Sequence, residues 1–128
     1  MTRALLIEPD AILAGNIGRL LSSAGIACDW QTDPQAAMDS ADARKPDVII
    51  LDLLLADRSG VEFLHELRSY PDWYNIPVIL NSHLSAEELR QSTAGFDRLN
   101  VLAYHYKPHS TAKELVESII RVLQPKKV

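Results

Sequence analysis

The chain has 128 residues, 47% of them hydrophobic, and a formal net charge of −4. That length buries one core without metal or disulfide support, and no apolar run approaches the roughly 20 residues of a membrane span. The single cysteine, Cys28, closes no internal disulfide and suits a reducing cytoplasm, while the mixed-sign acidic balance argues against nucleic acid as a partner.

Ala4 to Ile7 is a compact apolar run cut short by Glu8-Pro9-Asp10, which predicts a first strand and no signal peptide. Leu13, Ile17, Leu20, Leu21 and Ala24 then recur at helical spacing, and Gly25 stops that helix. Ile26 to Trp30 alternates, with Ile26, Cys28 and Trp30 on one side, as an edge strand does. Asp33-Pro34 pairs an N-cap with a proline at the first helical position and opens a second helix to about Ala43.

Val48 to Leu51, bounded by Pro46, is the short β-branched run of a strand buried on both faces of a parallel sheet, and Asp52 stands at its end. After Gly60 a helix carries Val61, Phe63, Leu64 and Leu67 to near Ser69, and Tyr70 to Asn75 is a loop. Ile76 to Asn81 is a fourth strand, with Pro77 at its entry where no ladder donor is needed. Ser85-Ala86-Glu87-Glu88 has capping-box spacing and opens a fourth helix, from Ala86 to Thr93, whose only large apolar residue is Leu89. Val101 to Tyr106 is a fifth strand. Thr111 to Glu114 is a second capping box, ahead of a last helix striped by Leu115, Val116, Ile119, Ile120 and Leu123. Residues 1–124 read as one domain and 125–128 as a short tail.

Five β-α units predict a doubly wound, five-stranded parallel sheet with five helices and right-handed crossovers. Ligands gather beyond the carboxyl ends of such strands. Those ends carry Glu8-Pro9-Asp10, Asp52, Asn81-Ser82-His83 and Lys107-Pro108. Carboxylates recruit a hard divalent cation, a hydroxyl donates to a phosphoryl oxygen and a lysine neutralises it. Asp52 is then the candidate phosphoryl acceptor. Plainer roles stand beside these: Asp52 capping a turn, and Lys107 as an ordinary surface lysine. No two of the four histidines lie together on one predicted helix, so no zinc site is expected.

With these residues at these spacings, the chain resembles the receiver domains of two-component response regulators over essentially its whole length. Glu8 matches the first acid of the family's acidic pair and Asp52, in Leu51-Asp52-Leu53-Leu54-Leu55, its phosphoacceptor. Gly60, Ser82 and Lys107-Pro108 match the glycine eight residues on, the Ser or Thr of the fourth strand and the Lys-Pro pair of the fifth. The resemblance implies the flavodoxin-like strand order 2-1-3-4-5, with Ser82 and Lys107 stabilising the phosphoryl group. It implies magnesium held by Glu8, Asp52 and the backbone carbonyl of Leu54. Asp10, one residue late for the second acid, is either a further ligand or, as its position favours, the N-cap of the first helix. Tyr104 is either the family's switch aromatic or a packing residue, and a cis peptide bond is implied before Pro108. Pro9 takes the place of the second acid, so magnesium is expected to bind weakly. His83, Leu54 and Ala56 also depart from the family's usual choices.

The implied function is a stand-alone cytoplasmic receiver, not an enzyme, that takes a phosphoryl group on Asp52 from a histidine kinase or phosphotransfer protein. It would signal to a downstream protein through the fourth helix, fifth strand and fifth helix, which is also the candidate homodimer face; neither nucleic acid nor membrane is expected as a partner. The alternative is a pseudo-receiver that binds proteins without efficient metal-dependent phosphorylation. A small phosphatase of the haloacid dehalogenase type also uses a strand-end Asp, a Ser or Thr and a Lys, but needs a second Asp where this chain has Leu54. Asp57, in the loop after the central strand, is not expected to replace Asp52.

Overall fold

The computed structural model describes residues 1–55, 59–85, 87–88 and 99–124. The apolar runs form β1 (Arg3–Ile7), β2 (Ala27–Gln31), β3 (Val48–Leu51), β4 (Val78–Ser82) and β5 (Val101–Tyr106). They are joined by helices α1 (Ala11–Ser23), α2 (Pro34–Ala43) and α3 (Gly60–Arg68), and α4 (Ala112–Leu123) follows β5 as the predicted fifth helix. The sheet is parallel throughout, in the order β2-β1-β3-β4-β5. This is the doubly wound architecture expected, with β2 on an edge.

Of the predicted fourth helix, the described residues hold the start. Glu87 and Glu88 are helical. Ser85 Oγ accepts the Glu88 N–H at 3.2 Å, and Glu88 Oε1 accepts the Ser85 N–H at 3.3 Å, so both halves of the capping box form. The body of that helix with Leu89 and Thr93, the loop residues Ala56 and Asp57, and the tail 125–128 lie outside the described residues.

Strand alternation divides the interior into two cores. Leu5, Ile7, Ile49, Leu51, Val78 and Leu80 face Ala37, Met38 and Ala41 of α2 and Phe63, Leu64 and Leu67 of α3. Ala4, Leu6, Val48, Ile50 and Ile79 face Ala14, Ile17 and Leu21 of α1 and Leu115, Val116 and Ile119 of α4. Burial on both faces explains why β1, β3 and β4 read as unbroken apolar runs. Each fully buried Leu, Ile or Phe contributes roughly 1.5–3 kcal/mol relative to exposure.

The helices begin where local chemistry satisfies their free amides. Asp33 accepts from the Gln35 and Ala36 amides at 3.4 and 3.2 Å, with Pro34 at the first position. Thr111 Oγ1 accepts the Glu114 N–H at 3.1 Å. Gly25, at φ +78°, ends α1 by letting its own N–H reach Ser22 O and the Ile26 N–H reach Leu21 O; an L side chain is strained at that φ. At the far end of the sheet, the Arg68 guanidinium donates to the carbonyls of Leu99, Ile76 and Trp73 at 2.6, 2.6 and 2.9 Å, tying α3 to the entries of β4 and β5. Burial holds its pKa below the ordinary value.

Candidate functional site

Parallel pairing brings the carboxyl ends of β1, β3, β4 and β5 to one edge, and Glu8, Asp52, Ser82 and Lys107 arrive there. The Lys107 ammonium lies 2.6 Å from Asp52 Oδ2, 2.8 Å from Glu8 Oε1 and 2.9 Å from Glu8 Oε2. Glu8 and Asp52 are almost wholly buried, at 1% and 3% exposure, and the Lys107 side chain is at 9%. Two carboxylates facing one ammonium leave a net negative charge in a low-dielectric pocket, where an electrophile or a second cation is attracted strongly. Burial pushes the Glu8 carboxyl above its ordinary value, against the opposing hydrogen bonds of Lys107 and Asp10. Burial also works to lower Lys107, but its hydrogen bonds to Asp52 and Glu8, and their charges, hold it above its ordinary value.

The loop after β3 fixes Asp52. Its Oδ1 accepts the Leu54 N–H at 2.9 Å. Leu54 pairs with Ser59 across the loop, and the Gly60 N–H donates to Leu53 O at 3.1 Å. A Cβ on Gly60 would lie 2.6 Å from Leu53 Cα and 2.8 Å from Asp52 O, so the glycine is required by close backbone approach. Leu54 is 48% exposed.

Asp10 takes the capping role. Its Oδ1 accepts the amides of Ile12 and Leu13 at 2.9 and 3.3 Å, and its own N–H donates to Glu8 Oε2 at 3.0 Å. Ser82 is fully buried, and its hydroxyl accepts the Leu84 N–H at 3.4 Å; among the described residues no hydrogen bond joins it to Asp52 or Lys107. His83 is exposed beside it. Tyr104, on β5, packs its ring against the α2–α3 core, and its buried hydroxyl has no hydrogen-bond partner among the described residues. Burial, with the charges of Tyr106, Glu88 and Asp52, raises its pKa.

One expectation is corrected. Among the described residues there is no cis peptide bond, so Lys107–Pro108 is trans. Pro108 lies at the start of a 3-10 turn, Lys107–His109, where its fixed φ and missing N–H are accommodated. The trans form also has the intrinsic preference, by about 0.5–1 kcal/mol.

Whether the pocket suits magnesium is tested by the convergence of its carboxylates. Glu8 and Asp52 both lie within hydrogen-bond reach of the same ammonium, so they already converge on one cation. Among the described residues no three His, Cys, Asp or Glu side chains form a metal cluster. The donors suit a cation, with two carboxylates rather than three. Trp30 joins the site through its indole Nε1, which donates to the Glu8 carbonyl at 2.8 Å, a role that the alternation of β2 does not signal.

The receiver-domain model of response regulators matches residues 4–119. Protein Rrf1 of Nitratidesulfovibrio vulgaris is 32% identical over 87 residues, covering 68% of this chain and 63% of that protein. The sensory transduction protein RegX3 of Mycobacterium tuberculosis is 32% identical over 124 residues, covering 97% of this chain and 52% of its own length. The KDP operon transcriptional regulatory protein KdpE of Escherichia coli is 36% identical over 87 residues, covering 68% of this chain and 37% of itself. The chain thus spans 37% to 63% of the length of these relatives. Among solved structures, the chemotaxis response regulator CheY4 of Vibrio cholerae superposes with a TM-score of 0.83 at 21% identity, covering 96% of this chain and 99% of its own; at that identity the likeness speaks to the fold. With the fold, the strand-end residues and the family match in agreement, the chain belongs to the response regulator receiver domain family.

Proposed function

We infer that Asp52 accepts a phosphoryl group from a phosphohistidine of a histidine kinase or phosphotransfer protein. Phosphorylation on Asp is general to receiver domains, and such domains interact with kinases and phosphotransfer proteins of that kind. The observation that carries the reading for this chain is the convergence of buried Asp52, Glu8 and Lys107 at one strand edge. A carboxylate oxygen of Asp52 attacks phosphorus, the P–N bond breaks, and the imidazole leaves and takes up a proton. Lys107 is already within 2.6 Å of that carboxylate, and it compensates the charge carried by the acyl phosphate. The phosphoryl group adds about −1.5 to −2 charges, drawing Lys107 and the Ser82 hydroxyl toward it.

Receiver domains generally bind magnesium in this acidic pocket. Here Glu8, Asp52 and the Leu54 carbonyl would hold it, and the ion would neutralise charge building on the phosphoryl oxygens. With Pro9 contributing no carboxylate and Asp10 capping α1, the ion would be held weakly. The chain is a phosphoryl acceptor and not a turnover enzyme, since Leu54 occupies the place where a phosphatase of similar chemistry needs an acid. It works in the cytoplasm, and among the described residues no helix is long and apolar enough to cross a membrane. The signal leaves by protein contact on the side of β5, where Tyr104 responds as Lys107 shifts. A downstream protein or a second copy of the chain docks there.

A second reading is favoured by the same contacts: with both carboxylates held by Lys107, the fold serves as a pseudo-receiver that binds proteins unphosphorylated. Incubation with a labelled phosphohistidine donor separates the two. Transfer of label to the chain, and none to Asp52→Asn, supports the acceptor reading; no transfer from any histidine donor, with intact protein binding, supports the pseudo-receiver.

A further inference from the structure

We propose that Trp30, on the edge strand and outside the strand-end cluster, is a positioning residue for the Glu8–Lys107–Asp52 site. The last backbone rung between β1 and β2 is the Glu8 N–H donating to Gln31 O at 3.1 Å. The next rung would need an amide two residues beyond Gln31, but there the chain has left the sheet and Asp33 caps α2. The Glu8 carbonyl, at the end of a residue only 1% exposed, accepts instead the Trp30 indole N–H at 2.8 Å. The peptide that follows belongs to Pro9 and has no N–H, so nothing donated from that amide helps to hold it.

Glu8 is therefore fixed at all three of its polar points, two of them by β2. Gln31 holds its N–H, Trp30 its carbonyl, and the Asp10 amide with Lys107 its carboxylate. Removing the indole donor leaves a buried carbonyl unpaired and frees the backbone that aims the carboxylate at Lys107. Trp30 as a whole is 41% exposed, so a surface residue of β2 is linked through one hydrogen bond to the buried cluster. Outer partners of this kind orient the groups they hold.

The consequence for phosphoryl transfer rests on Asp52 being the acceptor, but the positioning is testable without it. The probe is the Lys107 side-chain ammonium, observed by nitrogen-15 NMR in the native protein and in Trp30→Phe. The expected result is a shift or loss of that resonance in Trp30→Phe while far-UV circular dichroism stays native. In the reverse direction, with Trp30 intact, Lys107→Gln is expected to move the Trp30 indole N–H resonance, which keeps the test decisive if Trp30→Phe does not fold. Phosphorylation of Asp52 by acetyl phosphate in magnesium is expected to slow about tenfold in Trp30→Phe. A Lys107 resonance unchanged by Trp30→Phe, together with an indole resonance unmoved by Lys107→Gln, would overturn the proposal. Failure of the native chain to be phosphorylated would count against the acceptor reading alone, since both NMR readouts are independent of it.

Discussion

Pro9 has no N–H, so the first amide beyond Glu8 that reaches its carboxylate is that of Asp10, 3.0 Å from Oε2. The Asp10 side chain is meanwhile committed to the amides of Ile12 and Leu13. Restoring a carboxylate by Pro9→Asp is predicted to tighten magnesium binding, measured by calorimetry, because each charged oxygen ligand counts for an ion that keeps most of its waters. Asp10→Ala is predicted to cost about 1 kcal/mol of stability as a lost cap and to leave magnesium affinity nearly unchanged. Loss of magnesium binding in Asp10→Ala, with no gain in Pro9→Asp, would make Asp10 a ligand after all. Cys28 offers a second test at this scale. Burial, with the charge of Asp29, pushes its thiol up to about 11 from an ordinary 9.0. Since the thiolate is the nucleophile, alkylation at pH 8 is predicted to run about a hundredfold slower in the native protein than in urea. Equal rates, read by mass spectrometry, would contradict that burial.

At the scale of the element, α3 and the loop before it decide where Asp52 stands. Gly60→Ala places a Cβ against the backbone of Leu53 and Asp52, which has no flexible end to yield. It is predicted to cost about 1–3 kcal/mol and to slow phosphorylation of Asp52. A urea midpoint and an acceptance rate both like the native protein's would refute the close approach. Phe63→Ala, in the fully buried face of the same helix, is predicted to cost about 3–5 kcal/mol without a site-specific effect. The helix starts were legible in the sequence because Asp10, Asp33, Ser85 and Thr111 act on amides two or three residues away. The strand-end acids and the lysine were legible because apolar runs mark where strands stop. Trp30 and Arg68 were not, since the Trp30 acceptor lies 22 residues away and those of Arg68 are loop and strand-entry carbonyls 5, 8 and 31 residues on, with no local motif to announce them. The isomer of the Lys107–Pro108 bond is not legible locally, because either isomer suits a proline and the surrounding turn decides.

Across the whole molecule, the pH dependence of stability should carry the mark of α4 on β5. Burial lowers the pKa of His105 below its ordinary 6.5, with Glu114 opposing and Arg121 reinforcing, and its Nδ1 lies 2.8 Å from Ser110 Oγ. The fold favours the neutral ring, so its contribution is complete above pH 6.5 and is lost as pH falls through the lowered folded value. His105→Gln is predicted to flatten the fall in urea midpoint below pH 6.5; an unchanged slope would place the titration elsewhere. The two cores and the order β2-β1-β3-β4-β5 exist, on this account, to hold Glu8, Asp52 and Lys107 at one edge for phosphoryl acceptance. The most direct test is the intact mass of the chain after incubation with acetyl phosphate and magnesium, for the native protein and for Asp52→Asn. One added phosphoryl group is expected on the native chain, mapped to Asp52, and none on Asp52→Asn. A phosphoryl mass gained by Asp52→Asn would contradict it.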